Sequence, residues 1–278
     1  MLLREAGLTR GQVQGEVDRG VWVPAGCHTL CITTAAPTGR GLWWRALWES
    51  GSRSVLDGTS ALLAAGLTGW SEHTVHISVP NGARPRRIEG VTHHLMRDLG
   101  DIVPVGLRRT KPEVAAIRAA QGATSDRQAA TIVAMAVQQR LVLPKRLLAR
   151  WEGIRYSPRR AFLESVIQDV CNGAHSLNEL DFAQECRRRG LPEPTRQAVR
   201  TGKNGRVYLD VFWEAQGVHV EIQGAQHFEG TAGIDDALRF NDLGLRDPGL
   251  RSLQVPVLGL RTCPDKFFEQ IEQLLASS

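Results

Sequence analysis

Apolar positions recur along the chain in two rhythms, a helical one and an alternating one, and the switches between them outline the elements. Residues 10–19 read as a helix. Thr9 precedes the stretch and Gln12 lies three residues on, the capping-box spacing in which each side chain serves the other residue's backbone N–H. Gly20 then supplies a left-handed stop. Val21-Trp22-Val23 and His28-Thr29-Leu30-Cys31-Ile32 alternate as a hairpin around Pro24-Ala25-Gly26. A helix carrying Leu42, Trp43, Trp44, Leu47 and Trp48 follows, and tryptophans at helical spacing are read here as core. Asp57-Gly58-Thr59-Ser60 opens a helix over 61–65 that Gly66 ends. Residues 73–79 alternate as a strand stopped by Pro80-Asn81-Gly82, and 91–96 read as its hairpin partner. Residues 111–172 are helical, with starts at Pro112, Ser125, Pro144 and Pro158.

The last hundred residues change rhythm again. A helix over 176–189 is stopped by Gly190. Strands follow at 195–200, 206–213 and 218–223, then a helix at 234–245, a strand at 253–260, and a final helix opened by Pro264. The order is α-β-β-β-α-β-α, and the whole chain reads as α/β (α+β). Three segments are expected: a winged-helix-like and mixed α/β region over 1–110, a helical bridge over 111–172, and a compact α/β domain over 173–278.

Two of these segments carry candidate chemistry. Helix, helix and hairpin over 1–34 is the order of a winged helix. It predicts DNA contact through Arg10, Gln12 and Gln14 on the recognition helix, with packing or protein contact as the alternative. Arg84-Pro85-Arg86-Arg87 is either a phosphate contact or a solvated loop tip. In the C-terminal segment, Asp210 lies inside Val207-Tyr208-Leu209-Asp210-Val211-Phe212-Trp213, and Glu221 inside Val218-His219-Val220-Glu221-Ile222-Gln223. Side chains alternate along a strand, so His219, Glu221 and Gln223 share the face opposite Val218, Val220 and Ile222. The connection between the strands is short, so they should pair antiparallel and bring Asp210 close to Glu221. Two neighbouring carboxylates repel unless a cation lies between them, and a hard divalent ion suits that place. The alternative is an acid pair on an exposed sheet face bonded to arginines.

Charge adds an asymmetry. Residues 1–150 hold 19 Lys/Arg against 11 Asp/Glu, whereas residues 151–278 hold 15 against 18. The basic half suits an acidic partner such as DNA, and the acidic half suits a cation. Five scattered cysteines include one pair at metal-like spacing, Cys27 and Cys31, with no second close pair, so reduced and mostly buried thiols are expected. No apolar run is long enough to span a bilayer, and the N-terminus lacks a basic head followed by an apolar stretch. A soluble, cytoplasmic protein without a membrane partner is expected.

Residues 176–262 resemble the PD-(D/E)XK nuclease superfamily, and within it the Vsr-like endonuclease domains. The matching residues are Glu179 on the leading helix, Gln197 after Gly190-Leu191-Pro192, and the runs Arg206-Val207-Tyr208-Leu209-Asp210 and Val220-Glu221-Ile222-Gln223-Gly224-Ala225-Gln226-His227. Asp235-Asp236-Ala237-Leu238-Arg239-Phe240-Asn241 on the next helix completes the match. The resemblance implies a Mg²⁺-dependent DNA endonuclease, with Mn²⁺ as a substitute, that leaves a 5′-phosphate. Asp210, Glu221 and the Ile222 carbonyl would hold the metal. Glu179 would support it or simply cap its helix, and His227 would orient the attacking water or protonate the leaving oxygen. Arg239 would clamp a phosphate or pair with Asp235. One position departs from the pattern: two residues after the glutamate the branch usually has aspartate, and many superfamily members lysine, where this chain has Gln223. Glutamine cannot act as a base, but it can hydrogen-bond and orient a water. Residues 1–110 resemble, more loosely, the N-terminal region of AbiEi-type antitoxin regulators. Their matches are Gly20-Val21-Trp22-Val23-Pro24, Ser60-Ala61 with Gly66-Leu67, and Val79-Pro80. The expected function is a metal-dependent deoxyribonuclease acting on mismatched, damaged or foreign DNA. The alternative is a non-catalytic DNA-binding regulator with a degenerate nuclease fold.

Overall fold

The computed structural model describes residues 2–172, 182–201, 207–225, 232–245 and 251–276. It shows a mixed α+β chain that divides into two compact units, Met1–Ala115 and Ala116–Ser278. The helices after residue 115 fall within the second unit rather than forming a bridge of their own.

In the first unit, helix α1 (Leu2–Glu5) precedes α2 (Arg10–Asp18), whose start carries the full capping box. Thr9 Oγ1 accepts from the Gln12 N–H, and Gln12 Oε1 accepts from the Thr9 N–H at 2.8 Å. Strands β1 (Val23–Pro24) and β2 (Leu30–Cys31) form a short antiparallel hairpin. Helix α3 (Arg40–Ser50) holds this hairpin through Glu49. Its carboxylate accepts from the His28 N–H at 2.7 Å, the Thr29 hydroxyl at 2.8 Å and the Cys27 N–H at 3.1 Å. A side chain on Gly26 would collide with Glu49 Oε1 and push the carboxylate off these hydrogen bonds. Burial by itself raises the Glu49 pKa, but the hydrogen bonds from His28, Thr29 and Cys27 outweigh it and leave the carboxyl below its usual range.

A depressed carboxyl stabilises the fold at pH above its unfolded pKa of about 4.3, and that contribution is lost as pH falls through the lower folded value. Glu49→Gln should therefore lower stability at pH 7 by about 1–3 kcal/mol, and the gap to the wild type should narrow below about pH 4. Thermal unfolding at pH 7 and at pH 3.5 checks this. A constant gap would show that the carboxylate's charge has no part in holding the hairpin.

The tryptophan helix departs from expectation. Ala46 and Leu47 face the core, while Trp48 is 43% exposed and stacks on the half-buried Trp44 at 5.0 Å. The helix spends its inward positions on Leu47 and Glu49, which turns the ring pair outward. Strands β3 (Val55–Leu56), β4 (Val75–Pro80), β5 (Val91–Met96), β6 (Ile102–Val103) and β7 (Arg109–Thr110) form one sheet in the order β5-β4-β3-β7-β6. Strands β4 and β5 are parallel rather than a hairpin. The ten-residue segment containing Arg84, Arg86 and Arg87 is thus a crossover, and at about 3.3 Å per extended residue it is long enough to run back along a six-residue strand. Helix α4 (Gly58–Ala65) is capped by Asp57 and ends at the left-handed Gly66, as its residues predict. Asp57 is buried but well served, accepting from the Gly58 N–H, the Thr110 hydroxyl and the Ser78 hydroxyl.

The second unit opens with α5 (Pro112–Gln121), which crosses the division, then α6 (Asp126–Gln138), α7 (Pro144–Glu152) and α8 (Arg160–Asn172). Ser125 caps α6, and Pro144 occupies the first turn of α7. Helix α8 begins two residues after Pro158, because Arg159 takes a left-handed conformation (φ 52°) and its guanidinium bonds Asp126 at 2.7 Å. Helix α9 (Phe182–Arg188) ends before Gly190 (φ 72°). Strands β8 (Arg196–Thr201), β9 (Val207–Trp213), β10 (Val218–Gln223) and β11 (Ser252–Pro256) form a sheet in the order β11-β10-β9-β8. Strands β8, β9 and β10 pair antiparallel, and β11 runs parallel to β10.

Helix α10 (Ala232–Gly244) packs on β11. The expected strand over 253–260 stops at Pro256, and the chain turns at once into α11 (Val257–Thr262) and α12 (Pro264–Ala276). Gly259 lies so close to the Phe267 ring that a side chain there would clash. The thiols are less buried than expected: Cys186 is buried, Cys27 is exposed, and the other three lie between.

Candidate functional site

The four-stranded sheet is apolar on one side and polar on the other. Leu209, Val211 and Trp213 of β9, Val218, Val220 and Ile222 of β10, and Leu253 and Val255 of β11 are all buried on one face. Alternation puts Asp210, Phe212, His219, Glu221, Gln223, Ser252 and Gln254 on the opposite face. Asp210 and Glu221 are direct cross-strand partners, as their spacing predicts, and Ala198 of β8 flanks Asp210 on its other side. Directly opposed residues stand about 4.5–5.5 Å apart at Cβ, so two carboxylates here repel.

The site is half-sunken. Asp210 is 3% exposed and Gln223 is 8% exposed, while Glu221 is partly open. Gln223 Nε2 donates to Glu221 Oε1 at 3.1 Å. Turning the amide over would place its oxygen against that carboxylate, so the orientation is set by charge. It leaves Gln223 Oε1 buried with no hydrogen-bond partner. An orphaned carbonyl oxygen beside two carboxylates is a donor set suited to a hard cation or its bound water. Among the described residues no three His, Cys, Asp or Glu side chains converge as a metal cluster, so any ion here would rest on two carboxylates, the amide oxygen and main-chain oxygen. The Ile222 side chain is buried on the far face, which leaves only its carbonyl to contribute.

His219 and Ser252 are the residues the sequence reading left without a role. His219 Nε2 lies 3.1 Å from Asp210 Oδ1, its Nδ1 lies 3.0 Å from Ser252 Oγ, and its ring stacks on Phe212 at 4.5 Å. The shared face of His219, Glu221 and Gln223 was a signal for the histidine. Ser252 becomes its neighbour only through the parallel pairing of β10 with β11.

Asn241 of α10 supports the same sheet edge. Its amide accepts from the Gln254 N–H at 3.0 Å and donates to the Gln254 carbonyl at 2.9 Å, acting like one residue of a fifth strand. Gln254 pairs with Glu221, so this clamp steadies the strand beside the acid.

The remaining predicted residues are dispersed. Glu179 and His227 lie outside the described residues. Arg239 is exposed on α10. Asp235 is bound not chiefly by Arg239 but by Arg127 of α6, in two bonds of 3.1 and 2.5 Å that hold its carboxyl below the usual range. Arg10, Gln12 and Gln14 belong to the first unit, on a helix with no buried residue. Two of them are engaged locally, Gln12 in the capping box and Gln14 with Asp18 at 2.8 Å. Arg84, Arg86 and Arg87 are exposed on the β4–β5 crossover. No helix among the described residues is long and apolar enough to cross a membrane. Compared with known proteins, the chain matches no family model and no curated protein.

Proposed function

We propose that the polar face of the C-terminal sheet is a divalent-cation-dependent phosphodiesterase site acting on DNA. The observation that carries this reading is the paired Asp210 and Glu221 beside a buried, partnerless Gln223 oxygen. A bound Mg²⁺ or Mn²⁺ would polarise the scissile phosphate and lower the pKa of a bound water. Asp210 and Glu221 would hold the ion, with the Ile222 carbonyl beside them, and Gln223 would orient a water. The exposed arginines of the first unit and Arg239 would supply phosphate contacts.

A second reading has its own observation. Gln223 already occupies one Glu221 oxygen, and no base stands at that position, which favours a non-catalytic DNA-binding regulator. A cleavage assay separates the two. Purified protein is tested with Mg²⁺, Mn²⁺ or EDTA on single-stranded, duplex, mismatched and branched DNA, with binding followed across salt. Metal-dependent cutting supports the nuclease. Binding that weakens linearly in log K against log salt, without cutting on any substrate, supports the regulator. Neither cutting nor salt-dependent binding would overturn both.

A further inference from the structure

We propose that His219 is a positioning residue for Asp210, held in a single tautomer by Ser252; the inference rests on the cation-site reading above. The geometry assigns the protons. An ionised Asp210 carboxylate only accepts, so the imidazole nitrogen facing it, Nε2 at 3.1 Å, must carry the hydrogen. In a neutral ring Nδ1 is then the acceptor, and its partner at 3.0 Å, the Ser252 hydroxyl, must donate. The stack on Phe212 fixes the plane of the ring. His219 is thereby held by two hydrogen bonds and one aromatic contact, from β9 and β11 on either side of its own strand.

The consequence falls on Asp210. Its Oδ1 lies 3.1 Å from the imidazole nitrogen, so the rotation of the carboxylate is restrained. A preset carboxylate loses less freedom when it takes a cation than a rotating one does, and hydrogen-bonded outer partners of this kind hold ligands ready for a metal. The chain Ser252–His219–Asp210 joins three strands, so the acid is aimed by the sheet itself and not by a loop.

The test measures Mn²⁺ affinity from the electron paramagnetic resonance signal of the free ion, using the full chain. His219→Phe keeps the ring and its stack but removes both hydrogen bonds. It should weaken Mn²⁺ binding by about 10–100-fold. His219→Gln returns an N–H toward Asp210 and should recover most of that loss. Ser252→Ala leaves the histidine in place and releases its tautomer, so it should give an intermediate affinity and a broadened bound-Mn²⁺ spectrum. Thermal unfolding without metal accompanies each variant. If His219→Phe fails to fold, the Gln and Ala variants decide the matter by the same order of affinities. Wild-type affinity in His219→Phe, with binding lost in Asp210→Ala, would overturn the positioning role and leave the cation site standing. Equal, negligible binding in the wild type and in Asp210→Ala would overturn both.

Discussion

On the nuclease reading, Asp210→Ala is expected to lower Mg²⁺-dependent cleavage by about 10³-fold or more, with little change in the stability of the fold. The rate effect follows if the ion contributes roughly 4 kcal/mol to the transition state, at about 1.4 kcal/mol for each factor of ten. The stability effect is small because two terms oppose each other, relief of the carboxylate repulsion and loss of the hydrogen bond between His219 and Asp210. Asp210 is nearly buried and directly opposes a second carboxylate on the next strand, so without a cation the two repel. A carboxylate retained for packing would cost stability on removal; one retained for a cation costs function.

Ligand linkage sharpens the test. Saturating Mg²⁺ or Mn²⁺ stabilises a protein that binds it, by about 2.7 kcal/mol at a hundredfold excess over Kd. The wild-type unfolding temperature should therefore rise with added Mn²⁺, and that of Asp210→Ala should not. Glu221→Ala should behave alike, and should also release the Gln223 amide from its present bond. A wild type whose unfolding temperature ignores both ions, and which cuts nothing, would sink the nuclease reading and leave the regulator.

The largest loss of stability is expected at Trp213→Ala, about 3–5 kcal/mol. Trp213 closes β9 on the face opposite Asp210 and is fully buried. Its ring meets Phe182 edge-on at 6.3 Å, and Phe182 in turn stacks on Phe268 of α12 at 5.4 Å. Its Nε1–H donates to the Pro192 carbonyl at 2.9 Å. Alanine would open a cavity beneath the sheet and strip that carbonyl of its donor, two costs that add. For a unit of this size each kcal/mol lowers the unfolding temperature by roughly 2–4 °C, so a fall on the order of 10 °C should appear in a circular-dichroism melt. Trp213→Phe keeps the aromatic contact and loses the hydrogen bond, so it should fall between. A shift of only a degree or two for alanine would mean that the site's sheet is not anchored through this residue.

Much of the local structure and one part of the site were legible along the chain. The Thr9–Gln12 capping box, the Asp57 and Ser125 caps and the Gly66 stop all rest on contacts within a few residues. The facing of Asp210 and Glu221 follows in the same way, from strict alternation and a connection of four residues, Glu214 to Gly217. What the chain could not disclose is the choice of distant partners. Either direction of β5 against β4 satisfies the same alternation, and the parallel one is chosen by the crossover and the packing around it. Asp235 has a nearby arginine one turn away, yet binds Arg127, 108 residues distant in sequence, because α6 packs within the same unit.

The tryptophans of α3 show the limit most plainly, since helical spacing determines which side chains share a face but not which face turns inward. His219 is the counterpart at the site. Its strand position was set by period two, but its tie to Ser252 exists only because β11 lies parallel beside β10. Sequence alone determined the caps, the alternation and the acid pair, because those depend on backbone geometry over a few residues. Tertiary structure decided strand partners, ring exposure and the tethering of Asp210, because those depend on which distant surfaces bury each other.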